Sequence, residues 1–261
     1  MPVPDPLDDL ALLVEVARGA GRIAARFFRE EPEVWDKPDG AGPVTEADIA
    51  VDEMLRERLC AARPDYGWLS EETPDTPARL SASRVFIVDP IDGTQAFIEG
   101  SSAFSHSLAV VEDGVPIAAV VYLPIRGKLY AAARGHGATL DEVAIRTSGA
   151  RHLHEAELLA TKHTLSPAHW PRGVPPVTRA YRPSLAYRMA LVGEGRFDGM
   201  LTFRPTWEWD IAAGALIVAE AGGIATDGMG GALRFNNALP QVPGVLAAAP
   251  ALHPALLKAR V

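Results

Sequence analysis

A chain of 261 residues, 48% hydrophobic and 22% charged, can bury a sizeable core and carries too few charges to stay disordered. Its 25 basic against 33 acidic residues leave a formal charge of −8, which argues against a nucleic-acid partner. The single cysteine, Cys60, excludes an intramolecular disulfide and with it a secreted, cross-linked scaffold.

The first predicted element is a helix over Leu7 to Arg29. Leu10, Leu13, Val14, Ala17, Ala20, Ala24, Phe27 and Phe28 recur at spacings of three and four, and Glu31-Pro32 ends the run. No Lys or Arg precedes Arg18, so the start lacks the basic signature of a signal peptide, and the cytoplasm is the expected compartment. Val34 to Val44 reads as a mobile loop or loose hairpin. A second helix, capped by Thr45, is expected to run to Ala62, with Cys60 as core.

Strands follow at Tyr66–Leu69, Arg84–Asp89, Phe104–Glu112, Val115–Leu123 and Lys128–Ala133. The turns Asp113-Gly114 and Arg126-Gly127 suggest an antiparallel meander. The longest uncharged apolar stretch, Val115 to Ile125, contains two prolines and is too short to span a bilayer, so no membrane partner is expected. From about Ala150 the pattern changes to a strand at Glu157–Thr161, a helix at Ser184–Glu194 and a strand at Phe197–Phe203. A helix at Asp210–Ala221, a strand at Gly244–Ala249 and a C-terminal helix complete it. The fold class is α+β, with an N-terminal half over 1–150 and an α/β half over 151–261.

The chemistry concentrates in carboxylates at element ends. Asp89-Pro90-Ile91-Asp92-Gly93-Thr94 follows an apolar strand, Glu71-Glu72 follows another, Asp48 sits near a helix start and Asp210 opens a helix. Asp89, Asp92 and the Ile91 carbonyl between them can offer three hard oxygens to one small volume. That donor set suits Mg²⁺, and no Cys or His cluster competes for a softer metal. Gly93-Thr94, opening a helix, would add backbone N–H groups for an anion and a hydroxyl for a water. Together these are the parts for metal-assisted hydrolysis of a phosphate ester. Taken singly, each acid has a plainer reading as a turn, a solvated face or a helix cap; it is their combination that points to a site.

The series Asp48, Glu71-Glu72, Asp89-Pro-Ile-Asp-Gly-Thr94 and Trp209-Asp-Ile-Ala-Ala-Gly214 resembles the inositol monophosphatase superfamily of lithium-sensitive, Mg²⁺-dependent phosphatases. The resemblance implies a layered αβαβα sandwich, often as a homodimer, acting on a small phosphorylated metabolite. It implies a first Mg²⁺ on Glu71, Asp89 and the Ile91 carbonyl, and a second on Asp89, Asp92 and Asp210. A weaker third ion would sit near Glu71 and Lys37. Asp48 and Thr94 would activate the attacking water, with Glu71 beside them, and the Gly93 and Thr94 amides would bind phosphate.

The substrate reading rests on finer features. Inositol monophosphatases usually place a glutamate seven residues before the final motif aspartate, and Phe203 stands there. Arg204-Pro-Thr-x-x-Trp-Asp210 is similar to the matching stretch of bacterial 3′(2′),5′-bisphosphate nucleotidases, although Ala186 replaces the lysine of their Ser-Leu-Lys. This makes adenosine 3′,5′-bisphosphate the leading expectation. Inositol 1-phosphate and histidinol phosphate are alternatives, and a non-catalytic ligand-binding member is a remote one. Arg182, Arg188 and Arg204 are candidates to hold a second phosphate, and Trp207 to line a ligand pocket. His152-x-His154 reads as an exposed pair on a strand. The glycines at 193, 195 and 199 fit no dinucleotide fingerprint.

Overall fold

Asp5 caps the first helix, α1 (Pro6–Phe27), accepting from the Leu7 amide at 2.9 Å, and Asp8 completes the capping box. The helix stops two residues short of the expected Arg29, because Phe28 is already extended and Arg29 is left-handed. A computed structural model describes residues 4–30, 32–37 and 42–260. Within them the expected loop over 34–44 contains a short hairpin, β1 (Val34–Asp36) paired with β2 (Pro43–Thr45). Helix α2 (Glu46–Ala62) follows, with Cys60 half-buried on it rather than in the core.

The strands β3 (Gly67–Ser70), β4 (Arg84–Asp92), β5 (Ser105–Glu112), β6 (Val115–Leu123), β7 (Lys128–Ala133), β8 (Ala138–Leu140) and β9 (Val143–Ala144) form one sheet in chain order. Only β3 and β4 pair in parallel; the remainder is the expected meander, extended by two short strands. A five-residue helix, α3 (Thr94–Ile98), lies between β4 and β5.

The second sheet is mixed. It contains β10 (Glu157–Leu159), β11 (Thr178–Ala180), β12 (Gly199–Thr202), β14 (Ile224–Thr226) and β16 (Val245–Ala248), in the order β11-β10-β12-β16-β14. A small ladder joins β13 (Thr206–Trp207) to β15 (Gln241–Val242). Helices α4 (Leu185–Gly193), α5 (Ala212–Glu220) and α6 (Leu252–Arg260) complete the chain. His152 caps a short 3₁₀ turn, Leu153–Glu155, and His154 lies within it, so neither is on a strand, and both are exposed as expected.

Three apolar clusters show how the layers stack. Alternate residues of β4 face opposite ways: Phe86 and Val88 pack on α1 and α2, while Val85 and Ile87 pack with α4 and α5. Every residue of β4 is buried, so its Val85–Val88 stretch reads in sequence as a continuous apolar run rather than an alternation. The second sheet covers the other side of α4 and α5, and α6 closes its outer face with Leu252 and Leu256. The order is helices, sheet, helices, sheet, helix, the αβαβα sandwich. Gly214 allows the central helices to touch, since a Cβ there would lie 2.5 Å from Met189 Cβ. Among the described residues no helix is long and apolar enough to cross a membrane.

Candidate active site

The site forms where β4 breaks register. Asp89 pairs with Ser107 and Asp92 with Ser105, so β4 spends one residue more than β5 between these points. The extra residue brings both acids to the same side of the strand end. Gly93 follows with φ of +102°, a left-handed conformation that side chains resist, and turns the chain into α3.

Glu71 approaches from the loop after β3, and Asp210 from the turn before α5. Oxygens of Glu71, Asp89 and Asp210 all lie within 4.8 Å of one another. Asp89 is 1% exposed, and its Oδ1 has no hydrogen-bond partner. Burial first, then the charges of Glu71, Asp92 and Asp210, push the Asp89 carboxyl well above the usual carboxylate range. Burial first, then the charges of Asp92 and Glu71, raise Asp210. Asp210 was expected to open α5, yet Ile211 occupies the cap position, so the Asp210 carboxylate is not spent on the helix.

Asp92 is used differently. Its oxygens accept from Ser184 Oγ at 2.7 Å, the Ala186 amide at 2.6 Å and the Leu185 amide at 3.3 Å. It therefore holds the first turn of α4 while bordering the cluster, and burial lifts its pKa to about 6 despite those bonds. Ala186, where a lysine was sought, contributes its backbone N–H instead.

On the opposite wall Asp48 belongs to the capping box of α2. Its Oδ2 accepts from the Thr45 amide at 2.9 Å, and its Oδ1 faces Thr94 Oγ1 at 3.1 Å. Thr94 Oγ1 is also 3.1 Å from the Ile91 carbonyl, so one hydroxyl proton is shared between two acceptors. Burial raises Asp48 to about 6 although Thr45 and Thr94 both donate to it. Lys37 reaches Glu71 at 2.6 Å and Glu72 at 2.7 Å. Burial opposes its charge, but the two glutamates outweigh that cost and raise its pKa. Glu72, shut in beside Glu71, rises to about 7.

Carboxylates thus converge with one lysine among them, and a buried oxygen is left without a partner. Such a cluster has the donors to hold a divalent cation, and hard oxygens of this kind fit Mg²⁺.

The profile of the inositol monophosphatase family matches residues 6–261. The chain belongs to the inositol monophosphatase family. An inositol-1-monophosphatase of Rhizobium meliloti is 36% identical over 234 residues, covering 85% of this chain and 86% of the relative. A 3′(2′),5′-bisphosphate nucleotidase of Aggregatibacter actinomycetemcomitans is 32% identical, covering 82% of each. The solved structure of the extragenic suppressor protein suhB from Bartonella henselae superposes with a TM-score of 0.84 at 30% identity, covering 97% of this chain and 98% of that one. This family member is accordingly a phosphatase, a phosphoric monoester hydrolase.

The remaining expected residues lie one layer away. Phe203 and Arg204 border a hollow of about 340 Å³ next to the acidic cluster. The Phe203 ring is already engaged, with the Arg260 guanidinium 3.6 Å from its centroid and the edge-on Trp170 at 5.6 Å. Arg182 turns away to stack on Phe197 at 5.4 Å. Trp207 stacks on Trp209 at 4.7 Å and is not among the residues that border this hollow.

Sequence reasoning passed over Asp52. It is 6% exposed and accepts from Ser70 Oγ and Thr73 Oγ1, both at 2.5 Å, clamping the Glu71-Glu72 turn to α2 from either side. Its position four residues after Asp48, on the same helix face, was the available signal.

Proposed function

We propose that this phosphatase is Mg²⁺-dependent and hydrolyses the phosphate monoester of a small polyhydroxylated metabolite, with inositol 1-phosphate foremost. The observation that carries the metal is the convergence of Glu71, Asp89 and Asp210 around an unpartnered Asp89 oxygen. Glu71, Asp89 and the Ile91 carbonyl would hold one ion, and Asp89, Asp92 and Asp210 a second; the family resemblance adds a weaker third near Glu71 and Lys37. Bound Mg²⁺ supplies charge to the phosphate oxygens and lowers the pKa of a coordinated water.

The chain's own residues then position and deprotonate the attacking water. Thr94 Oγ1 gives its proton toward Asp48 Oδ1 at 3.1 Å and keeps lone pairs free to accept from that water. Asp48, raised to about 6, remains mostly ionised near neutral pH and takes the proton passed through Thr94. The first amides of α3, from Gly93 and Thr94, lack intrahelical acceptors and are suited to the phosphate oxygens.

Two observations favour a polyol over a nucleotide as substrate. Arg260 covers one face of Phe203, which removes that face as a stacking surface for adenine. The adjoining hollow is bordered by Thr161, Thr164, Thr202 and Tyr181, hydroxyls suited to a polyhydroxylated ring. The relative named for inositol 1-phosphate is also the more similar of the two compared above. Adenosine 3′,5′-bisphosphate becomes the second reading, favoured by the absence of a carboxylate at position 203.

Phosphate release from inositol 1-phosphate, adenosine 3′,5′-bisphosphate and histidinol phosphate, with Mg²⁺ and with chelator, tests both levels. Mg²⁺-dependent release with the highest kcat/KM for inositol 1-phosphate is expected. A nucleotide preference would promote the second reading, and release undiminished by chelator would sink the metal assignment.

A further inference from the structure

Strand β5 is apolar from Leu108 to Val111, yet it opens with three polar residues, Ser105-His106-Ser107, none more than 1% exposed. Buried polar groups are costly unless each finds a partner, so the partners these three take are informative. All three reach the segments that carry the acidic cluster. Ser105 Oγ lies 3.0 Å from Ser184 Oγ, which donates to Asp92. Ser107 Oγ donates to the Trp209 carbonyl at 2.8 Å, in the peptide that precedes Asp210. His106 points to the other face of the strand, among Phe104 and Leu108, and meets the Pro90 carbonyl through Nδ1.

His106 stands opposite the bulge. Asp89 pairs with Ser107 and Asp92 with Ser105, so Pro90 and Ile91 together face this one residue. Proline has no N–H to offer the ladder, and a bulge interrupts the ladder where it falls. The two bulge carbonyls are divided between partners: Pro90's accepts from the imidazole, and Ile91's accepts from Thr94 Oγ1 at 3.1 Å. A carbonyl only accepts, so Nδ1 carries the proton. Nε2 is buried without a partner, where a second N–H would be costly, and the ring is therefore neutral. Burial acts in the same direction, drawing its pKa down to about 4. Phe104 and Tyr122 flank the ring, with centroids 6.3 and 6.1 Å away.

We infer that His106 is a positioning residue for the metal site: its Nδ1–H holds the Pro90 carbonyl, and with it the bulge that turns Asp89, the Ile91 carbonyl and Asp92 toward one volume. The inference rests on the metal reading of the cluster given above. An apolar side chain could fill the same space, but it would leave the Pro90 carbonyl buried and unpaired. The peptide would then turn toward another donor, and the neighbouring oxygens would converge less closely.

Three substitutions separate the donor from the bulk of the ring. Asn can place an amide N–H where Nδ1 lies, Gln places it farther out, and Leu fills space with no donor. Mg²⁺ binding is measured by calorimetry on protein without substrate, beside the Mg²⁺ concentration for half-maximal phosphate release from inositol 1-phosphate. His106→Leu and His106→Gln should each weaken both by about tenfold, the scale on which metal sites lose affinity with an outer partner, with a smaller fall in kcat at saturating metal. His106→Asn should stay within about threefold of wild type. A role in the fold alone would lower Tm in His106→Leu and leave Mg²⁺ affinity as it was. That result, or an Asn variant as weak as Leu, overturns the inference. Should the variants fail to fold, nitrogen-15 NMR of the wild-type imidazole carries the test. An Nδ1–H tautomer whose resonance shifts along the Mg²⁺ titration is expected, and an Nε2–H tautomer or a resonance blind to Mg²⁺ overturns it. Failure of the metal reading shows separately, as a wild-type protein that binds no Mg²⁺ before any variant is compared, and it takes this inference with it.

Discussion

Strand β4 begins and ends in buried charge, and its two ends are built on opposite terms. At its start Arg84 meets Asp9 and Glu112, Arg63 meets Asp9 at 3.0 Å, and Arg134 meets Glu112 at 2.8 Å. Tyr66 donates to Asp9 and accepts from Arg84, which fills the remaining positions. At its far end Asp89, Asp92, Asp210, Glu71, Glu72 and Asp48 crowd together with Lys37 as the cation in contact. The first end is balanced and pins α1 to the sheet. The second is frustrated: burial and mutual repulsion raise the carboxyls of Asp48, Glu72, Asp89, Asp92 and Asp210 above the usual carboxylate range. A protein that balances buried charges at one end of a strand and gathers an excess of acids at the other has kept the second end for a ligand.

Substitution should separate the two ends sharply. Asp89→Asn removes a charge shared by both proposed metal positions, and kcat should fall by about three orders of magnitude or more. Without metal the variant should melt no lower than wild type, since a repelled carboxylate has been neutralised. It should also lose the rise in Tm that Mg²⁺ gives the wild type through linkage. Near-wild-type turnover would mean that the cluster is not the reaction centre.

Arg84→Met should do the reverse. It strands part of the Asp9 and Glu112 charge in a buried setting, a loss of about 3 kcal/mol in denaturant unfolding. The folded fraction should keep its turnover and its Mg²⁺ response. If Arg84→Met instead altered the Mg²⁺ requirement while stability held, the two ends would be coupled and the contrast between them would collapse.

How much of this was legible before the structure follows from range. The segment from Asp89 to Thr94 was readable because its parts are adjacent: a buried strand, a proline, two acids and a glycine that turns the chain. Helical and strand periods in each half pointed to the α+β class, and the layered sandwich was implied by the family resemblance that the motifs carry. Partnerships through space were not readable. Nothing in the spacing says that Arg260, 57 positions after Phe203, will cover its ring. Short elements such as β8 and β9 escaped because they carry too few residues to show a period.

Asp52 offers a finer cut inside the frustrated end. It touches none of the proposed ligands directly, but its bonds to Ser70 and Thr73 bracket Glu71 and Glu72. Asp52→Asn keeps the shape and replaces one carboxylate oxygen by an amide that cannot accept from the second hydroxyl. The Mg²⁺ concentration for half-maximal activity should rise about tenfold, with a smaller change in kcat at saturating metal. Loss of kcat alone, with Mg²⁺ dependence unchanged, would show that Asp52 supports the fold and not the metal loop.

The smallest expected effect is a pH dependence of stability, and its sign distinguishes the two ends. Asp48 and Asp92 are raised to about 6 and Glu72 to about 7 by burial, and Asp89 and Asp210 are raised as well. A folded-state pKa above the unfolded value means that the native state holds more protons. The stabilisation is then complete below the unfolded pKa and is lost as pH rises through the folded one. His106 and His253 act oppositely: burial lowers both, His106 to about 4, so they favour folding as pH climbs toward 6.5. Above 6.5 the histidines are spent, and the acidic end dominates. Asp75 and Glu112, lowered by arginine, are fully ionised in both states by then and contribute no slope. The metal-free protein should therefore lose several degrees of Tm between pH 6.5 and 8, at up to about 1.4 kcal/mol per pH unit for each proton released. Saturating Mg²⁺ replaces those protons, so the decline should flatten and the stabilisation by metal should grow with pH. A metal-free Tm that held level or rose across this window would show that the carboxylates of the proposed site are already satisfied.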